Sequence, residues 1–359
     1  MRIPIRLVFF VSAYVVMALA MLLIRQRIGY MTPDEINFSN DNYRNAVEGV
    51  NFSLWGGSGG GLALKYYAMS VFFQFLYRFG TLAIYFFNIM IVAAALFVSY
   101  NALVRDEPKV CGRWWLLMFM MPNVLYYSAS ILRDIQLFAL VLFLLALYKR
   151  KAFGVMFLLV LGMIWILRPE LGLTVSVAWL ISIMGRPWMK RYAVLGYLIA
   201  AFGFMAYLAL AGNYYTNFFS RGLAKHGGIG ILNFTDANIH LPYFLLSNIA
   251  LFYFPIVNEF FLTSSFGNMM VFCGLVNLYI LCQVFFRYGL SFSRNDRMAD
   301  FALLAFITFI PVLANESDAS SAVRHSIYTL PFLYLYFIRC LAANRRVGEV
   351  RNLEECDGR

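Results

Sequence analysis

The sequence predicts an all-α polytopic membrane protein of about ten transmembrane helices, with interfacial helices on the extracytoplasmic side. Of its 359 residues, 62% are hydrophobic and 18% aromatic, and mean hydropathy is +0.71. Only 13% are charged, where a soluble domain carries about 25%. A water-soluble chain of this length would form roughly two domains with polar shells. The 29 basic and 18 acidic residues cannot cover them. Cytosolic enzymes, secreted domains and disordered chains are excluded.

A helix crosses the hydrocarbon with about 20 apolar residues. Stretches near 7–24, 81–103, 115–130, 135–148, 154–167, 171–185, 192–211, 264–287, 299–314 and 327–343 meet or approach that length. The first follows Arg2 and Arg6 and resembles a signal peptide at its start. Its apolar run continues through Ala18-Leu19-Ala20 into Met21-Leu22-Leu23 without a clean cleavage site, which predicts a retained anchor.

Two further apolar stretches, 62–79 and 241–262, decide the topology. If both crossed, the basic clusters would fall on opposite sides. Lying along the outer surface as interfacial helices, they place all the clusters together. The inner side then holds Arg2/Arg6, Arg105/Lys109/Arg113, Lys149/Arg150/Lys151, Arg186/Lys190/Arg191, Arg287/Arg294/Arg297 and the bases from Arg339 onward. The formal net charge of +11 falls on that side and the outer side balances. This is the positive-inside bias. Nucleic acid is not an expected partner, because binding it needs bases gathered on a soluble face.

The expected organisation is therefore a single transmembrane domain, 1–359. It has a first extracytoplasmic loop with an interfacial helix (25–80), a second (212–262), and a cytoplasmic tail (344–359). Both termini are cytoplasmic, and the short loops favour a bacterial inner membrane. Cys111, Cys273, Cys282, Cys340 and Cys356 show no CxxC pairing or metal spacing. None falls in an outer loop, so disulfides are not expected. The sequence has no internal repeat and no heptad seam.

The outer loops carry the chemistry. In the first, Pro33 fixes the backbone before the adjacent carboxylates Asp34 and Glu35. A glycine cluster follows at Gly56–Gly61 and permits close backbone approach to a ligand. The plainer reading is an acid pair in the first turn of a short helix. The third and fourth spans are short and meet at Arg133-Asp134. The fifth and sixth repeat the design and meet at Arg168-Pro169-Glu170. Short hairpins place their tips below the membrane surface, where ionisable groups face a water-filled cavity or each other. One reading is a shared polar cavity; the other is ion pairs, Arg133–Asp134 or Arg168–Glu170, that only pin the hairpins.

The loop near 212–240 holds Tyr214, Tyr215, Arg221, Lys225 and His226 among glycines. It suits sugar or phosphate binding, and equally an ordinary solvated loop. The last outer loop contains Arg324 and His325. Arg324 is either a phosphate ligand, whose fork matches phosphate oxygens, or a surface arginine at the headgroups. No histidine pair has i, i+4 spacing, so a dedicated zinc site is not expected. P-loop, dinucleotide and Gly-x-Ser-x-Gly signatures are absent.

This order of features resembles the membrane glycosyltransferases of the GT-C superfamily. Asp34-Glu35 falls where that family's acidic motif falls, although no aromatic residue directly follows it. Lys65-Tyr66-Tyr67, Leu76-Tyr77-Arg78-Phe79-Gly80 and Asn88 are similar to its interfacial helices leading into the second span. Pro122, Tyr126-Tyr127-Ser128, Arg133-Asp134 and Arg168-Pro169, with Arg324 and Pro331, also resemble membrane proteins of polysaccharide gene clusters. There is no soluble C-terminal domain of the oligosaccharyltransferase kind.

The resemblance implies glycosyl transfer, with inversion, from a polyprenyl-phosphate-linked sugar donor to a glycan or lipid-linked acceptor among the membrane lipids. Asp34 or Glu35 would serve as general base. Arg133, Arg168 and Arg324 would stabilise the departing phosphate. Asp134, Glu170, Lys65, Arg221, His226 and His325 would support or bind substrate. One carboxylate would suffice, because a phosphate leaving group needs no acid, whereas glycosidases need two. No cofactor is fixed by the residues; oxygen ligands alone would suit Mg²⁺ or Mn²⁺. The alternatives are a Wzy-type repeat-unit polymerase and a lipid-linked-sugar flippase. Flippases usually carry internal repeats, which this chain lacks.

Overall fold

In the computed structural model, the described residues are 5–28, 75–76, 78–80, 82–130, 132–151, 154–211, 265–289, 292, 296–314 and 325–357. Among them every regular element is helical. The expected interfacial stretches at 62–79 and 241–262 lie almost wholly, or wholly, outside the described residues. Among the described residues three helices are long and apolar enough to cross a membrane: Ile5–Arg27, Leu82–Val104 and Ile327–Asn344. Shorter apolar helices accompany them. This much establishes a helical protein compatible with a membrane.

The chain divides into two compact units, Met1–Leu173 and Thr174–Arg359. The first contains α1 (Ile5–Ile28) and α2 (Leu82–Ser99), the latter ending in a π-helical turn, Tyr100–Val104. It continues with α3 (Lys109–Met120), α4 (Pro122–Ser128), α5 (Asp134–Lys149), α6 (Val155–Leu167) and the start of α7 (Pro169–Ser182).

The centre of this unit is α5. Its residues are apolar on all sides and almost all buried, as in a helix enclosed by neighbours. It packs against α2 and α6, while α1 packs against α2 and α4. α1 buries one stripe, Leu7, Tyr14, Ala18 and Leu22, and exposes Phe9, Val16 and Leu23. Tyr14 meets Phe119 edge to face at 6.4 Å, and Phe119 meets Phe138 at 5.5 Å. α6 exposes Val155, Met156, Leu158 and Leu159, an apolar surface suited to lipid rather than water.

The expected third span, 115–130, is two helices. Met121 is extended (φ −60°, ψ 133°), because the proline after it disfavours the helical region. Pro122 then opens α4, where its missing N–H has no partner to lose. The expected brevity of the hairpins is present. α6 and α7 have 13 and 14 residues, about 20 Å each against roughly 30 Å of hydrocarbon.

The second unit holds the rest of α7, α8 (Pro187–Ala211), α9 (Ser265–Cys282) with a π-helical turn Gln283–Tyr288, α10 (Arg297–Ala314) and α11 (Leu330–Asp357). α10 packs on α8 and α11. Asp296 caps α10: its Oδ1 accepts from the backbone N–H groups of Met298 (3.1 Å) and Ala299 (3.0 Å). Its Oδ2 accepts from Arg339 Nε at 2.8 Å. One turn on, Asp300 accepts a hydrogen bond from Lys190, and both side chains are buried. Lys190, one of the bases expected on the inner side, is held inside the unit, where Asp300 supplies its counter-charge.

Candidate functional site

The two elbows that close the short hairpins of the first unit come together. At the first, α4 stops at Ser128 and α5 begins at Asp134. A broken helix leaves its last carbonyls without partners, and in a bilayer no water can serve them. Here they are served by side chains from other helices. Arg25, near the end of α1, donates from Nη1 to Tyr126 O at 3.0 Å and to Ala129 O at 2.7 Å. Its guanidinium carbon stands 4.1 Å from the centre of the Tyr126 ring, a cation–π contact.

Asn88 of α2 donates from Nδ2 to Ser130 O at 2.7 Å. Gln136 of α5 donates from Nε2 to Asn88 Oδ1 at 3.0 Å. The Ser130 hydroxyl donates to Tyr127 O at 2.7 Å and accepts from the Leu132 N–H at 3.2 Å. Ser128 Oγ donates to Val124 O and accepts from Tyr14 OH, each at 2.6 Å.

At the second elbow Arg168 is extended (φ −152°, ψ 92°), as a residue before proline prefers. Pro169 starts α7 directly, so the chain reverses over a single residue. The reversal is tight. A Cβ on Gly172 would lie 2.6 Å from the Trp165 ring and 2.9 Å from the Trp165 Cα.

Arg133, Asp134 and Arg168 are all buried. Burial weighs against a charged Asp134 side chain, and the nearby positive charges of Arg133 and Arg168 weigh the other way, which puts the two elbows near one another. Asp134 also sits in the first turn of α5, where the helix dipole favours an anion. Glu170 lies at the edge: its side chain is half exposed, with Oε2 4.0 Å from Arg168 Nε. Such a pair adds little.

Of the residues singled out in the sequence, the structure gathers Arg133, Asp134, Arg168 and Glu170. Asp34, Glu35, Lys65, Arg221, His226 and Arg324 lie outside the described residues. His325 belongs to the second unit, buried with its ring 5.9 Å from that of Tyr328. Sequence reasoning missed Arg25 and Gln136, and it marked Asn88 only through the resemblance. Arg25 ends the apolar run of α1 beside Gln26 and Arg27, and that position alone was the available signal. Among the described residues no three His, Cys, Asp or Glu side chains group as a metal site. The cluster can hold an oxyanion on guanidinium groups and can accept or donate hydrogen bonds to hydroxyls. No protein family, curated protein or solved structure matches the chain.

Proposed function

We propose that the chain is a GT-C-like membrane glycosyltransferase, with about ten spans, outer interfacial helices and both termini in the cytoplasm of a bacterial cell. It takes a sugar from a polyprenyl-phosphate carrier on the extracytoplasmic face and transfers it to a glycan or lipid-linked acceptor. What supports the reading is that Arg133, Asp134 and Arg168, at the elbows of two short hairpins, are all buried, with both arginine charges near Asp134. Ionisable groups buried in a membrane protein are costly and mark functional sites by default. Such a group of charges suits the phosphate of a lipid-linked donor.

In the reaction the acceptor hydroxyl attacks the anomeric carbon and its proton passes to Asp34 or Glu35. The bond from carbon to phosphate oxygen breaks, and the phosphate leaves with the electron pair, inverting the centre. Guanidinium groups stabilise the charge that develops on it. Arg324 would join Arg133 and Arg168 in this role. Asp34 and Glu35 would hold Mg²⁺ or Mn²⁺, which would supply charge neutralisation for the phosphate.

The test uses membranes containing the full chain and labelled polyprenyl-phosphate sugars. Arg133→Ala and Arg168→Ala should each lower transfer by about 10²-fold or more. Asp34→Asn or Glu35→Gln should lower it by about 10²–10⁴-fold. Full activity in both carboxylate variants, with loss in the arginine variants and a ladder of products, would favour the Wzy-type polymerase. Movement of labelled lipid across proteoliposomes without a glycosidic product would overturn the enzymatic reading.

A further inference from the structure

The elbow between α4 and α5 is built from carbonyls whose donors come from elsewhere in the first unit. Leu125 O accepts from the Ala129 N–H, and Tyr127 O from the Ser130 N–H and hydroxyl. Tyr126 O and Ala129 O depend on Arg25, and Ser130 O depends on Asn88. The intervals in sequence are 101, 104 and 42 residues. Nothing local could set these contacts.

The amide chain also has a direction. A carbonyl can only accept, so Ser130 O forces Asn88 to present its NH₂ there. Asn88 must then offer its oxygen on the other side, and Gln136 must give it an N–H. Both amides are thereby oriented without ambiguity, and α5 is locked to the elbow through its first turn, between Arg133–Asp134 and the body of the helix. Arg25 is equally specific. Its Nη1 serves both carbonyls while the planar guanidinium lies on the Tyr126 ring, a stacking that a lysine ammonium does not reproduce.

From this geometry we infer that Arg25 and Asn88 are positioning residues: together they hold the 126–134 elbow so that Arg133 and Asp134 face Arg168. The consequence for sugar transfer rests on the reading above, but the clamp itself does not. α1 is accordingly a working part of the site, and its last turn decides where the arginines of the hairpin stand.

The experiment follows the elbow directly. In the full chain with its five native cysteines replaced, Leu132→Cys reports on the elbow, and Glu170→Cys reports on its neighbour. The probe is a membrane-impermeant methanethiosulfonate. Leu132 is buried, so its cysteine should label slowly in the parent. Arg25→Ala, Asn88→Ala and Asn88→Asp should each raise that rate by about tenfold or more. The rate at Glu170→Cys should stay within about twofold, since its hairpin is closed by Pro169 and Gly172.

Asn88→Asp is the decisive variant. It keeps the size of the side chain but sets an acceptor against Ser130 O. Millimolar guanidinium should return the Arg25→Ala elbow towards its parental rate. If Arg25→Ala fails to accumulate, Arg25→Gln, which retains one donor, replaces it.

An unchanged Leu132→Cys rate in all these variants would overturn the inference, and so would parallel rises at both reporters, which mean general loosening. In chains without reporter cysteines, the same substitutions should lower kcat for transfer more than they raise KM. Absence of any transfer by the parent would refute the glycosyltransferase reading alone, leaving the labelling to judge the clamp.

Discussion

Gly172 shows how much a single missing carbon can determine. Added there, a Cβ would stand within 3 Å of two ring atoms and the Cα of Trp165. The ring could rotate away, but the backbone atom could not. Gly172→Ala should therefore spread the α6–α7 hairpin and destabilise the protein by about 1–3 kcal/mol, the usual range for overpacking. Thermal unfolding in detergent would register this as a lowered Tm. Removing the ring as well, in Gly172→Ala/Trp165→Ala, should recover little, since the clash with the Trp165 Cα persists and a cavity is added. Full recovery in the double variant would place the constraint in the indole alone. Arg168 follows the hairpin, so under the proposed function the single variant should also weaken binding of the lipid-linked donor.

Between helices, pairings rather than single residues carry the structure. Lys190 of α8 and Asp300 of α10 are buried together, and removing one partner of such a pair typically costs about 3–5 kcal/mol because the other charge is stranded. Asp300→Asn should lower the Tm well below that of the parent. The apolar pair Lys190→Met/Asp300→Leu should return most or all of it, because neither charge then has to be desolvated. If the double variant is as unstable as the single one, the pair is contributing specific geometry rather than mutual neutralisation.

This contact was invisible in the sequence, where Lys190 reads as one of three bases beside Arg186 and Arg191. Arg25 was obscured in the same way, 101 residues from the carbonyl it serves. By contrast the two elbows were legible, because Pro169 and the brief apolar runs act within a few residues of Arg168 and Arg133. The break at Met121 obeys the same local rule, through Pro122, although 115–130 reads as a single span. Local stereochemistry is written in neighbouring letters. Long-range hydrogen bonds depend on which helices pack together, and an amphipathic pattern too weak to orient α1 or α5 cannot indicate that.

The first unit has two chemically different ends. Arg105, Lys109, Arg113, Lys149, Arg150 and Lys151 lie at one end and are exposed. Arg25, Arg133 and Arg168 lie at the other and are buried. Exposed bases interact with headgroups and water and set orientation through the positive-inside rule. Buried ones are too costly to serve that purpose. The exposed end should accordingly be cytoplasmic and the elbow end extracytoplasmic. Single cysteines at Arg105, Arg150 and Glu170, each in a cysteine-free chain, test this in intact cells with an impermeant maleimide. Glu170→Cys should label in whole cells, and the other two only after the membrane is opened. The reverse pattern would put the elbows in the cytosol, away from an extracytoplasmic carrier, and a transferase acting on the outer face would be ruled out. Labelling of all three in whole cells would mean that the bases at the exposed end do not set orientation. The expectation that the net charge of +11 gathers on one side would then lose its physical basis.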